Sequence, residues 1–278
     1  MKVFQSKRRK DRALTDLWNT YVWGKQNLSQ LAHQNNRSIE WVRTQLQKVQ
    51  VQKSACVPQP TVFIADTTFF GRAWGVCVFR APHLKRNIWW TDVLKEVMAT
   101  YHYGRKILEE RGWVFQAVVV DGRRGMIKVF EGIPIQVCQF HQMRTVTKYL
   151  TRKPETKEGI ALRAIMLALT RSTEAQFTTL LNTWKQLYPY ILTEKTYVTG
   201  TKHWYYTYKK TRSAYLSMER NLPHLFTYQR YPYLNIPNTT NSLDGSFTHL
   251  KDKVNIHHGL RQDRRYKMTE EILGGEEE

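Results

Sequence analysis

Apolar and polar positions alternate along the chain in two distinct patterns. Between residues 61 and 137, short continuous apolar runs stop abruptly on polar or turn residues. TVFIA (61–65) runs into Asp66, VVV (118–120) into Asp121-Gly122, and IPIQV (133–137) into Cys138. Runs of this kind are what strands buried on both faces look like. Residues 72–79 read as a hairpin partner of the first run and residues 87–90 as a third strand. Residues 92–111 read as a long amphipathic helix, and residues 123–131 leave room for two helical turns. The expected order is βββ-α-β-α-β, with Asp66 and Asp121 ending the first and fourth strands.

Elsewhere the apolar positions follow helical spacing. In residues 12–24 they fall at Leu14, Leu17, Trp18, Tyr21 and Val22. Asn27 followed by Gln30 is a capping signature for a short helix that buries Leu28, Leu31 and Ala32. A turn at Gln34-Asn35-Asn36-Arg37 leads to a second helix after Ser38. Its expected inward residues are Ile39, Val42 and Leu46, leaving Glu40, Arg43, Gln45 and Lys48 outside. This is the helix-turn-helix pattern, whose second helix enters a DNA major groove; an ordinary helical hairpin would look the same. Residues 52–60, with two prolines, read as a linker.

From residue 142 to about 235 the strand pattern disappears. Residues 159–169, 173–187 and 212–222 read as helices. Among them lies HWYYTYKKTR (203–212), where aromatic and cationic side chains interleave. Such a segment suits stacking on unpaired bases and gripping phosphates. The aromatics Trp204, Tyr205, Tyr206 and Tyr208 are equally suited to a small local core, a reading slightly favoured for them as a group. Lys209, Lys210 and Arg212 are expected to face DNA. In the last structured stretch Leu243, Phe247, Leu250 and Val254 recur at helical spacing, with Asp244 in the first turn. The closing residues, 269–278, read as an acidic tail.

Composition sharpens the choice of partner. The 278 residues carry 43 Lys+Arg against 23 Asp+Glu, a net charge of +20 spread along the whole chain. That balance favours a polyanion, nucleic acid before anionic membrane. No stretch approaches the roughly 18 apolar residues of a membrane span, and the first ten residues lack a signal-peptide core. Three cysteines with no C-x-x-C pair argue against a disulfide framework and a complete zinc ribbon. The expected location is cytoplasmic, with the bacterial nucleoid.

Asp66 and Asp121 stand 55 residues apart at strand ends, where open α/β sheets place their chemistry. Taken alone, Asp121-Gly122 is ordinary turn and capping chemistry. Two strand-end aspartates and an acid on a late helix are, together, the donor set of a two-metal phosphoryl-transfer site. From VFIADTTFFG through DGRRG and CQFH to TTNSLDGSF, the chain resembles Mutator-like (MULE-type) insertion-sequence transposases of the DDE/D superfamily. The resemblance covers residues 12–268.

That resemblance implies a ribonuclease-H-like fold with a helical insertion, preceded by a helix-turn-helix. The implied divisions are 1–55 for the helix-turn-helix, 56–150 and 236–268 for the catalytic core, and 151–235 for the insertion. It implies Asp66, Asp121 and Asp244 as ligands of two Mg²⁺ (or Mn²⁺) ions, Asp244 standing where the commoner form has glutamate. Gly245 would let the shorter side chain approach, and Asp252 is the fallback. Cys138 and His141 match the family's C-x-x-H; His141 either touches the scissile phosphate or organises Asp121, or the two are a buried structural pair. Relatives often carry a zinc ribbon before a segment similar to VFQSKRR (3–9), where this chain starts, so the ribbon is dispensable here or the copy is truncated.

The implied activity is DNA transposition. Metal-dependent cleavage at transposon ends would be followed by attack of the 3′-hydroxyl on target DNA. Partners would be the terminal inverted repeats, contacted through Arg37, Glu40, Arg43, Gln45 and Lys48, target DNA, and a second copy of the chain in a dimer or larger synaptic assembly. Two alternatives remain: a ribonuclease-H-like nuclease on branched DNA, and an inactive or truncated copy that only binds DNA.

Overall fold

The computed structural model describes residues 2–51, 56–72, 74–257 and 260–274, with side chains from residue 11 onward. In chain order the N-terminal helices are α1 (Lys2–Val22), α2 (Leu28–Gln34) and α3 (Ile39–Lys48). Strands β1 (Pro60–Phe70), β2 (Trp74–Ala81) and β3 (Arg86–Val93) precede α4 (Met98–Glu110), β4 (Val114–Val120), the single turn α5 (Met126–Val129) and β5 (Ile135–Val137). Helices α6 (Gln139–Leu150), α7 (Lys157–Ala168), α8 (Glu174–Leu187) and α9 (Tyr190–Thr193) follow. A hairpin, β6 (Lys195–Tyr197) and β7 (Trp204–Tyr206), leads to α10 (Lys209–Leu225), α11 (Thr227–Arg230), α12 (Asn241–Val254) and α13 (Gln262–Gly274).

The chain is α/β, with a mixed five-stranded sheet in the order β3-β2-β1-β4-β5. β2 and β3 are antiparallel, while β1, β4 and β5 run parallel. The Val118–Val120 run is fully buried in β4, as its unbroken β-branched sequence requires. The chain divides into two compact units. One comprises Met1–Val57, Thr67–Lys95 and Ser242–Glu278; the other comprises Pro58–Asp66 and Glu96–Asn241.

In the first unit local chemistry sets the helix ends. Asn27 and Gln30 form a reciprocal capping box on α2, Asn36 takes the left-handed conformation at φ 50°, and Ser38 caps α3 by accepting from the Trp41 N–H. Leu31, Ala32, Val42 and Leu46 pack inward with Leu17, Trp18, Tyr21 and Val22 of α1. Ile39, expected inside, is 39% exposed, since it sits at the first position of α3, before the inward stripe is established. The Lys267 ammonium donates to the Gln47 carbonyl at 2.8 Å and Trp18 Nε1 to Glu271 at 3.0 Å, so α13 holds both α1 and the end of α3. All four expected inward residues of α12 (Leu243, Phe247, Leu250, Val254) are buried.

The second unit carries the β1–β4–β5 ladder and a helical core. Trp184 stacks on Tyr215 with ring centroids 5.0 Å apart, and its indole N–H donates to the Glu158 carbonyl at 2.9 Å. Phe177, Leu181, Met218 and Phe226 close around them. Reciprocal capping by Thr173 and Gln176 starts α8 one residue inside the expected segment.

Several boundaries differ from the sequence reading. β1 does not stop at Asp66 but continues to Phe70, because an aspartate with an extended backbone need not end a strand. α4 begins at Met98, not near 92, because Thr91–Val93 complete the pairing of β3 with β2. Residues 269–274 are helix, not tail: Thr269, Ile272 and Leu273 are buried on α13, and Glu270 and Glu271 between them are half-buried. Residues 52–55 of the expected linker and 275–278 of the expected tail lie outside the described residues. No described helix is long and apolar enough to cross a membrane.

Candidate active site

The site in the second unit follows from strand register. Ile64 of β1 pairs with Val119 of β4 in parallel. Two residues further along stand Asp66, within β1, and Asp121, the first residue after β4, so the register sets the two at the same level. Neighbouring strands lie about 4.8 Å apart, so side chains at one level leave from adjacent positions; among the described residues, the metal-capable group that includes Asp66 and His141 does not include Asp121. Asp66 is buried and Asp121 half-buried. At the adjacent strand, Val120 pairs with Val137, which puts Cys138 and the start of α6 beside them.

His141 lies in the first turn of α6, and one of its ring nitrogens is within 4.8 Å of an Asp66 carboxylate oxygen. Cys138, fully buried, precedes that helix and bonds to Thr240: its sulfur accepts from the Thr240 N–H at 3.4 Å and lies 3.5 Å from the hydroxyl. Burial pushes the Cys138 thiol up, but hydrogen bonds from His141 and Thr240 outweigh it and leave it below its ordinary value. Cys138 and His141 are thus neighbours at the start of α6, with the His141 ring beside Asp66.

Asp121 has its own partners. Its Oδ1 accepts from the Arg123 N–H at 3.2 Å, and its Oδ2 meets Arg123 Nε at 2.8 Å. The same guanidinium reaches Glu96 at 2.6 Å, and Glu96 accepts from the Tyr101 hydroxyl at 2.7 Å. Burial is the largest influence on Glu96 and holds its carboxyl above the usual range, against the pull of Tyr101 and Arg123.

Gly122 is required by packing. A Cβ there would collide with the side-chain amide of Asn221, and it would also press on Val137. Asn221 belongs to a buried polar chain: it donates to Gln142 at 2.7 Å, and Gln142 donates to Ser217 at 3.0 Å. This chain joins α6 to α10 directly under the Asp121 turn. Glu96, Arg123, Gln142 and Asn221 were not singled out in the sequence. Arg123 stood in the quoted DGRRG, but nothing there signalled that it would turn back onto Asp121.

Asp244 lies in the first turn of α12, in the first unit, and is half-buried; Asp252 on the same helix is exposed. A Cβ on Gly245 would meet nothing within 4 Å among the described residues. On α3, Arg43 pairs with Glu40 at 3.1 Å, Lys48 donates to Gln45 at 3.2 Å, and Arg37 lies over the Trp41 ring. These side chains are on the outer face, Gln45 partly covered. Lys209 and Lys210 are exposed at the start of α10. Arg212 is instead committed inward, donating to the Leu192 carbonyl at 3.0 Å and covering the Tyr206 ring at 3.7 Å.

The sequence matches no family model and no curated protein.

Proposed function

We propose that the chain is a DNA transposase of the DDE/D type with a ribonuclease-H-like catalytic core, in which Asp66, Asp121 and Asp244 hold two Mg²⁺ or Mn²⁺ ions. The observation that carries the reading is the level placement of Asp66 and Asp121 on adjacent parallel strands. The strand order, with an antiparallel β2–β3 pair on one side and parallel β4 and β5 on the other, agrees with it. Hard carboxylate oxygens suit Mg²⁺, which demands oxygen donors and keeps open positions for water and phosphate. Ions held there would supply Lewis-acid activation of the attacking oxygen and stabilise the leaving one.

The protein's own groups do the positioning. Asp66 is fixed within a strand and Asp121 by the turn at Gly122, so neither must be reorganised when a phosphate arrives. His141 stands beside Asp66, where its ring can hold a phosphate oxygen or a water. Arg123 neutralises Asp121 and must swing away for that carboxylate to hold a cation; its charge is then available to DNA phosphate. The outer face of α3, with Arg37, Glu40, Arg43, Gln45 and Lys48, is proposed to read the terminal repeats as the second helix of a helix-turn-helix. Transposon ends and target DNA are the proposed partners, with two ends requiring a dimer or larger synaptic assembly. The proposed place of action is the bacterial nucleoid in the cytoplasm.

The test is joining of a precut transposon end to target plasmid in Mg²⁺ or Mn²⁺, with wild type, Asp121→Ala and Asp244→Ala. Joining by wild type and neither variant supports the reading. Joining that survives Asp244→Ala moves the third role elsewhere. Tight, salt-sensitive DNA binding without joining or cutting by wild type overturns it in favour of a binding protein.

A further inference from the structure

The β6–β7 hairpin gathers aromatic and basic side chains that the proposed metal chemistry does not use. Its register pairs Lys195 with Tyr206 and Tyr197 with Trp204. Side chains of directly opposed residues share a face, so these four side chains lie on one side of the ribbon, and Thr196 and Tyr205 lie on the other. Lys195 Nζ sits 3.8 Å from the Trp204 ring centroid, and Trp204 meets Tyr206 edge-on at 5.3 Å.

A local core would bury these rings. Tyr206 is indeed half-buried beneath Arg212, but Trp204 is 44% exposed and Tyr197 66%. The sequence reading of the aromatics as a small core therefore holds for Tyr206 and Tyr208 and fails for Trp204 and Tyr205, which is 52% exposed. An exposed Trp–Tyr pair on a two-stranded ribbon stabilises little by itself, since such a ribbon is marginal in water. The ribbon is nevertheless held in shape: Thr196 and Thr207 share a hydroxyl hydrogen bond of 2.8 Å, and the Val198 N–H donates to the His203 carbonyl at 3.0 Å.

Charge says what covers the face. Residues 195–212 contain five Lys or Arg and no acid, and Lys202, Lys209 and Lys210 are exposed. Flat exposed rings beside exposed lysines fit a strand whose bases are unpaired. Each base can stack on a ring while its phosphate meets a lysine. A duplex hides its base faces and would use only the cations.

We infer that the face of the hairpin bearing Tyr197 and Trp204 binds single-stranded DNA by base stacking. The inference does not need the metal chemistry, and it is tested without metal. Anisotropy of a dye-labelled oligothymidylate and of a duplex of equal length is measured in EDTA at low salt, for wild type and the Tyr197→Ala/Trp204→Ala double variant. The double variant is expected to bind oligothymidylate about tenfold or more weakly while duplex binding changes less than about twofold. Trp204→Phe should keep most of the single-strand affinity, and Tyr205→Ala, on the opposite face, should leave it within about twofold of wild type. Unchanged oligothymidylate binding in the double variant, or equal loss on both DNAs, would overturn the inference. Because no divalent metal ion is present, failure here is independent of strand joining, and failure of joining leaves this result standing.

Discussion

Arg123 grips Asp121 at both carboxylate oxygens, through its own backbone N–H at 3.2 Å and its guanidinium at 2.8 Å. A divalent cation would need the oxygen the guanidinium holds. Arg123→Gln should therefore raise the apparent Mg²⁺ affinity several-fold, read by calorimetry. It should also cost about 1–2 kcal/mol of stability in EDTA, read by denaturant unfolding, because Glu96 loses a charge-assisted partner. Weaker Mg²⁺ binding in the variant would mean that Arg123 supports the site and does not compete for it.

The floor under that turn is equally specific. Gly122→Ala places a Cβ against the Asn221 amide. Relief requires moving either the turn or the Gln142–Asn221 bond, so a loss of about 1–3 kcal/mol is expected. Asn221→Ala should cost a similar amount by leaving Gln142 without its 2.7 Å donor. Gly122→Ala made in the Asn221→Ala background should cost less than in wild type, as measured by a double-mutant unfolding cycle.

His257 gives a pH signature to the first unit. It is buried against Tyr21, with ring centroids 4.1 Å apart. Burial lowers its pKa from 6.5 to about 4, against a hydrogen bond with the Tyr21 backbone and with help from Arg264. In the window between those values the unfolded chain binds a proton and the folded chain does not. Stability should therefore fall as pH drops from 6.5 toward 4, by up to about 3 kcal/mol. His257→Phe should flatten that part of the curve in unfolding experiments at each pH, whereas an unchanged slope would assign the acid sensitivity to other groups.

Arg43 separates duplex recognition from mere basicity. It is half-exposed on α3 and paired with Glu40. Arg43→Ala should weaken duplex binding and lower the slope of log K against log salt by about 1 if it meets a phosphate. An unchanged slope and affinity would remove α3 from the DNA interface. Ser38→Ala serves as the stability reference, costing about 1 kcal/mol through loss of the α3 cap.

What the sequence disclosed followed from strong local rules. The Val118–Val120 run, the Asn27–Gln30 box and the four-residue stripe of α12 each have one physical reading, and each is found in the structure. The strand-end position of Asp121 was legible, that of Asp66 was not, because β1 runs on to Phe70; their equal level was hidden too, because register depends on pairing between strands far apart in sequence. Glu96 and Arg123 were invisible for the same reason: a lone acid before a helix and an arginine after a turn have no periodicity to betray that they meet. The α13 helix was missed because its buried residues (Arg264, Met268, Thr269, Ile272, Leu273) include polar ones that blur the apolar stripe. The exposed hairpin rings were misread because composition cannot tell a stacked core from an open face.

The most direct test of the central claim exchanges the donor atom. Precut-end joining is measured with Asp121→Cys and with wild type, in Mg²⁺ and in Mn²⁺, with EDTA as the blank. Thiolate sulfur is a poor partner for Mg²⁺ and a better one for the softer Mn²⁺. The account predicts wild-type joining in both metals, none in EDTA, and an Asp121→Cys protein that is inactive in Mg²⁺ but partly restored in Mn²⁺. An Asp121→Cys protein that joins ends equally well in both metals would contradict it, because Asp121 would then hold no cation.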